Sequence, residues 1–355
     1  MQGFARINKE LAAFSGFENS EITATLDMDA TLVATNKEDA LFCYKGYKAY
    51  QPLNTWWFER GTIVHTEFRD GNVPAGFEQL RVFKEALNCL PEQVKKVRLR
   101  SDTAGYQHNL LKYYATGENR RFGVIEFAIG CDVTKEFKKA VEKVEESEWK
   151  PIYKTAYGKK YETGVEWAEV CYVPNAISHS KKGPEYRYIA KREVLDKQQK
   201  LPGMECQIAL PFPTMDMKSQ RYKVFGIVTN MDWEGERLVH WLHERCGKSE
   251  EAHGVMKDDL AGGKLPSEDF GENAAWWWIM ILALNLNTMM KKLALEGSWC
   301  SKRMKAVRFS VIHLPGRVVE RSRQLAIRLT RNHPSFELLV KVRKRIAMMK
   351  PIPCG

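Results

Sequence analysis

Apolar and β-branched residues dominate 22–26 and 31–34, so the intervening "DMDAT" sits on or at the end of a strand. "YKGYKAYQPLNTWWF" and "GTIVHTEFRDGNVPAG" read as further strands with a glycine turn between them. The period then changes. In "GFEQLRVFKEALNCLP", Phe77, Leu80, Phe83 and Leu87 recur at helical spacing and Pro91 marks the stop. "VKKVRLRSDTAGYQHNLLKYY" predicts strand, polar turn, helix, and "FGVIEFAIG" another strand. Across 133–207 the pattern weakens to a charged helix over 134–148 and aromatic-rich strands such as "YETGVEWAEVCYV". "RYKVFGIVTN" restores a strand and leads into one long helix, "EGERLVHWLHERCGKSEEAHGVMKDDL". A second, very apolar helix begins after "GGKLPSEDFGEN". The tail holds one strand, "MKAVRFSVIHL", followed by basic helices. There is no internal repeat and no low-complexity tract. The outline is α+β with an α/β core, a mixed sheet and a long β-rich insertion.

Charge narrows the partner. The chain of 355 residues carries a net +11 with a pI of about 9.1, which favours a polyanion. From 298 to 355 there are 14 Lys plus Arg against two acids, Glu320 and Glu337. That surplus, 14 − 2 = 12, exceeds the whole chain's, so the body is near neutral and the tail is basic. The longest apolar run, "AAWWWIMILALNL", is too short to span a bilayer and contains Asn285, so it reads as a buried helix with one Trp partly exposed. No secretory leader opens the chain. The eight cysteines are scattered without a CxxC pair, against a zinc site or disulfide framework, and fit a reducing cytoplasm.

The acids carry the chemistry. Asp27 and Asp29 are two apart on a strand and project to one face. Paired carboxylates repel unless a cation or a shared proton holds them. Oxygen-only ligands favour magnesium or manganese. Read blandly, Asp27 caps or solvates its strand. Asp102 ends a second strand, and it also suits an N-cap for the helix opened by "SDTAGYQHNLL". Glu250 and Lys257, two helical turns apart, share a face, with Arg245 near it. Glu250 read alone is an exposed charge paired with Lys257 or Arg245. His240, His243 and His253 form no HExxH and read as surface or DNA-facing groups.

Two resemblances follow. "LDMDATLV" resembles the nucleophile motif of haloacid-dehalogenase-type phosphatases, but over about ten residues only. That family's late acidic pair follows a strand, whereas "KDDL" lies in a helix. A wider pattern resembles the DDE transposases of bacterial insertion sequences, whose core is like ribonuclease H and retroviral integrase. It runs over 25–346 and is carried by "LDMDATLV", "LFCYKGYKAYQPL", "FRDGNVPAG", "LRSDTAGY", "LHERCGKSEEAHGVMKDDLAGGKLPSEDFGENAAWWW" and "LPGRVVERSRQL". It is most similar to the branch with a β insert and a Tyr-Arg-Glu-Lys helix signature.

The resemblance implies Asp29, Asp102 and Glu250 as catalytic residues and metal ligands, holding two Mg2+ or Mn2+ ions. It implies Arg245 and Lys257 as DNA-binding residues. Two departures stand out. Arg245 lies five residues before Glu250 rather than four, with Cys246 in the signature place, and Trp241 is the candidate to replace the signature Tyr. Only about 26 residues precede the first acids, so a truncated copy lacking an upstream recognition domain is expected. The implied organisation is a remnant or linker over 1–20, a ribonuclease-H-like core over 21–132 and 221–297, an insertion over 133–220, and a basic region over 298–355. The implied activity is DNA cleavage at element ends and strand transfer, by a homodimer on double-stranded DNA, in a bacterial cytoplasm at the nucleoid, without membrane. The competing reading is a transposase-derived DNA-binding protein without catalysis.

Overall fold

A computed structural model describes residues 2–14, 23–174, 184–195, 212–217, 220–295, 297–321, 323–329, 333 and 335–349; the side chains of 247–251 lie outside the described residues. Helix α1 (Gln2–Phe14) precedes strand β1 (Thr23–Ala30). Strands β2 (Val33–Ala34), β3 (Leu41–Phe42) and β4 (Lys48–Tyr50) form a small separate sheet. Strands β5 (Leu53–Trp57) and β6 (Thr62–Glu67) make an antiparallel meander with β1, turning at Gly61, whose φ of 63° suits glycine. After α2 (Gln79–Asn88), β7 (Lys96–Ser101) runs parallel to β1. After α3 (His108–Thr116), β8 (Glu126–Cys131) runs parallel to β7. The order β6-β5-β1-β7-β8, with only β5 antiparallel to β1, is the ribonuclease-H-like arrangement expected.

Beyond α4 (Lys135–Glu142), the insertion adds β9 (Lys150–Ala156), β10 (Lys159–Val170), β11 (Arg187–Val194) and β12 (Thr214–Met217). These and β13 (Gln220–Thr229) extend the same sheet through antiparallel pairs, in the order β8-β13-β11-β10-β9 with β12 on β13. The result is a ten-stranded mixed sheet in an α+β fold.

Alternation along the strands decides what faces where. Ala24, Leu26 and Met28 enter the main core with Val97, Leu99, Phe127 and α2's Phe83 and Leu87. Thr25, Asp27 and Asp29 therefore take the opposite face. There α5 (Gly235–His243) buries Leu238, Val239 and Leu242 against Trp167, Ile189 and Ile227. The predicted single helix is broken at Glu244. It resumes as α6 (Arg245–Gly254) and ends in a π turn over Val255–Asp259. At the break Arg100 donates to the Trp241 carbonyl at 2.6 Å, an acceptor that an unbroken helix gives to residue 245.

Helix α7 (Phe270–Met289) is the apolar run. Trp277 and Ile281 pack with Tyr50, Phe68 and Met256; Trp278 is also buried and Trp276 half-buried. Helix α1 locks onto this layer through buried Asn8, which donates to the Ile63 and Val64 carbonyls and accepts from Asn285. The polar residue inside the apolar run is thus a satisfied buried link. Among the described residues, no helix is long and apolar enough to cross a membrane.

One expectation in the tail is overturned. "MKAVRFSVIHL" is helical, as α8 (Met304–Val307) and a π turn over Arg308–Ile312, because Val307 buries against Ala294, Leu295 and Val342 rather than pairing with a sheet edge. The strands come next, as a hairpin of β14 (Gly316–Arg321) and β15 (Gln324–Leu329), before helix α9 (Phe336–Met348).

Candidate active site

The β1–β7 register sets the site. Asp27 pairs across to Arg100 and Met28 to Ser101, so one step further Asp29 adjoins Asp102 at the carboxyl ends of two parallel strands. The face opposite the core thus carries Asp27 and Asp29 from β1, and Arg100 followed by Asp102 from β7.

Asp27 does not solvate its strand, as its bland reading had it. The Arg100 guanidinium grips it through Nε to Oδ1 at 2.6 Å and Nη2 to Oδ2 at 2.8 Å. Arg100 is wholly buried and Asp27 is 4% exposed. A buried carboxylate needs a cation or a proton, and a bidentate guanidinium meets that need. Burial raises the Asp27 carboxyl pKa and Arg100 opposes the rise. The guanidinium also lies over the rings of Phe58 at 4.2 Å and Trp241 at 5.1 Å. Arg100 therefore ties β1 to the point where α5 gives way to α6.

Asp29 is half-buried, and its Oδ2 lies 3.4 Å from Arg245 Nη1. Asp102 accepts the Ala104 N–H at 3.0 Å and caps the short turn Thr103–Gly105, while Gln107 occupies the N-cap of α3. Asp102 thus caps this short turn through Oδ1 rather than the helix it was expected to cap. Crowding by surrounding atoms raises the Asp102 carboxyl pKa although the residue has an open face; Arg245 lowers it and the charge of Asp29 raises it. Asp29, Asp102 and Arg245 share one electrostatic environment. Lys257, half-buried in the π turn, has its ammonium pKa lowered by burial, against the raising pull of Asp258 and Asp29.

Glu250 sits on α6 between Arg245 and Lys257 along the chain, and its side chain lies outside the described residues. Among the described residues, no three His, Cys, Asp or Glu side chains gather as a metal site. The break at Glu244 precedes both Arg245 and Glu250, which share α6, so it leaves their five-residue spacing unexplained. Trp241 lies before the break, with Arg100 over its ring, so helical spacing from Glu250 does not carry back to Trp241.

Two side chains escaped the sequence reading, Arg100 and Asn54. Arg100 was hidden because its pairing with Asp27 depends on the strand register. Asn54 stands opposite Asp29 on β5 and is 3% exposed. The Thr66 hydroxyl accepts from the Trp277 indole at 3.0 Å and donates to Asn54 Oδ1 at 2.6 Å, fixing the amide. Asn54 Nδ2 then has no partner among the described residues. His253 lines a cleft with Asp27, Asp29, Asn54, Trp56 and Met256. A polar residue within the buried strand "LNTWW" was the available signal for Asn54; His253, read as a surface or DNA-facing group, lines the cleft instead of lying on open surface.

This donor set fits a hard divalent cation. Asp29 and Asp102 offer carboxylate oxygens from adjacent strand ends, and a bound cation would relieve their mutual repulsion. Asn54 Nδ2 adds an unused donor suited to an oxygen held in the cleft.

No curated protein matches the chain. Among solved structures, it is similar to the piggyBac transposase synaptic complex with hairpin DNA, determined by cryo-electron microscopy, at 10% identity and a TM-score of 0.41. That match covers 94% of this chain and 58% of the other, so this chain spans less than two thirds of that protein's length. The family model described as "Transposase DDE domain group 1" matches residues 6–351, nearly the whole sequence. The chain belongs to that family of transposases.

Proposed function

We propose that the chain cleaves phosphodiester bonds at the ends of a mobile DNA element and joins those ends to a target, with Asp29, Asp102 and Glu250 holding two Mg2+ or Mn2+ ions. The observation that carries this reading is the placement of Asp29 beside Asp102 at adjacent strand ends, with Arg245 against Asp29. When bound, such ions activate the attacking oxygen and stabilise the leaving one. Asp29 and Asp102 supply ligands from the sheet and Glu250 from α6. Arg245 and Lys257 hold the DNA backbone beside them, Arg through a planar fork and Lys as a point charge. Asn54 Nδ2 donates to an oxygen in the cleft. Asp27 and Arg100 touch no reacting atom in this scheme; they position α6.

The core comprises 21–132 and 221–297, interrupted by the insertion 133–220 and followed by the basic region 298–355. The partner is double-stranded DNA, both the element's terminal repeats and its target, bound by a homodimer at the nucleoid in the cytoplasm. Plasmid nicking tests the proposal, with magnesium, manganese or EDTA. Metal-dependent nicking that disappears in Asp102→Asn and Glu250→Gln is expected. Retained nicking in either folded variant would sink the assignment, and DNA binding without nicking by the wild type would favour a non-catalytic DNA-binding protein.

A further inference from the structure

The hairpin β14–β15 has two chemically distinct faces. Its register pairs Arg317 with Arg328, Val319 with Ala326 and Arg321 with Gln324 on one side. On the other it pairs Gly316 with Leu329, Val318 with Ile327 and Glu320 with Leu325. The first side therefore carries three arginines and no acid, and Arg323, with φ of 62°, adds a fourth in the turn. Among the described residues, no acidic side chain pairs with any of these four. All residues of the two strands are exposed except Val319 and Leu329, which are half-buried.

Two physical points make this a binding surface. Like charges placed directly across an antiparallel pair destabilise it, so the Arg317–Arg328 pair disfavours the free hairpin unless an anion lies over it. An exposed two-stranded hairpin is marginal by itself and gains stability from what it docks on. A two-stranded ribbon also has the width to enter the major groove of a DNA duplex.

We infer that the arginine face of this hairpin is a docking surface for double-stranded DNA, contacting backbone phosphates through Arg317, Arg321 and Arg328. The inference rests on the DNA-transposase reading above and adds to it a contact site remote in sequence from the acids.

The test uses the full chain and a short mixed-sequence duplex, with affinity measured across a salt series. Each lost phosphate contact lowers the slope of log affinity against log salt by about 0.9. Arg317→Gln/Arg321→Gln/Arg328→Gln is expected to lower it by about 2.7. A fourfold rise in salt then weakens the variant about forty-fold less than the wild type. Replacing the same three by Lys restores the slope, which separates charge from folding. Val318→Thr/Leu325→Thr/Ile327→Thr leaves the slope unchanged. An unchanged slope in the Gln variant, while the wild type binds and nicks DNA, overturns the hairpin assignment alone. A wild type that binds no DNA overturns the parent reading as well. Loss of dimer in the Thr variant, with DNA binding intact in the Gln variant, assigns the hairpin to contacts between copies and also overturns the inference.

Discussion

Replacing Arg100 by Met tests how the site is held together. The substitution removes both hydrogen bonds to Asp27, at 2.6 and 2.8 Å, and the 2.6 Å bond to the Trp241 carbonyl. Asp27, 4% exposed, is left without its cation. Breaking a buried pair from one side costs about 3–5 kcal/mol, because the remaining charge is stranded. Replacing both partners removes that stranded charge. Asp27→Leu/Arg100→Met is therefore expected to recover most of the loss and to lie within about 1 kcal/mol of the wild type. Activity should not follow stability. The double variant still lacks the bond that fixes the turn from α5 to α6, so its metal-dependent nicking stays low. Urea unfolding followed by tryptophan fluorescence gives the stability of both variants, and plasmid nicking gives the activity. A cost below about 1 kcal/mol for Arg100→Met would refute the stranded-charge argument. So would a double variant as unstable as the single one. Full nicking activity in the stable double variant would refute the positioning role.

Other expectations follow from the same geometry. Asp102→Asn should abolish nicking yet raise stability at neutral pH. A carboxyl whose folded pKa is raised destabilises the fold once ionised, so the gap between variant and wild type should close as pH falls through that raised value, as thermal melts at several pH values would read. Asn54→Ala removes the unused amide donor beside Asp29 and should lower nicking about tenfold or more, with metal affinity measured alongside. Gly235→Ala places a methyl 2.1 Å from the Trp167 ring in the core, and should cost about 1–3 kcal/mol by overpacking, read as a lower urea midpoint.

Much of the architecture was legible along the chain. The change from short β-rich runs to helical spacing marked β1, β7, β8 and β13 and helices α2, α3 and α7, because alternation and 3.6-residue periodicity are local consequences of burial on one face. Asp29 and Asp102 were legible as acids at strand ends for the same reason. Other features depended on contacts between distant segments. "MKAVRFSVIHL" is rich in β-formers yet helical, because the burial of Val307 against Leu295 and Val342 decides it. The hairpin lay beyond it, in a stretch read as basic helix.

The sequence by itself determined strands β1, β7, β8 and β13, helices α2, α3 and α7, the placement of the acids and the concentration of positive charge in the tail, since each follows from residue type and local spacing. Only the tertiary structure decided that Asp27 belongs to Arg100 while Asp29 faces Arg245 and Asp102. Both acids project from one strand with the same chemistry. What separates them is the parallel register with β7, which sets a guanidinium beside one and a carboxylate beside the other. That register is fixed by packing across the sheet, and a strand read alone contains no information about its neighbour.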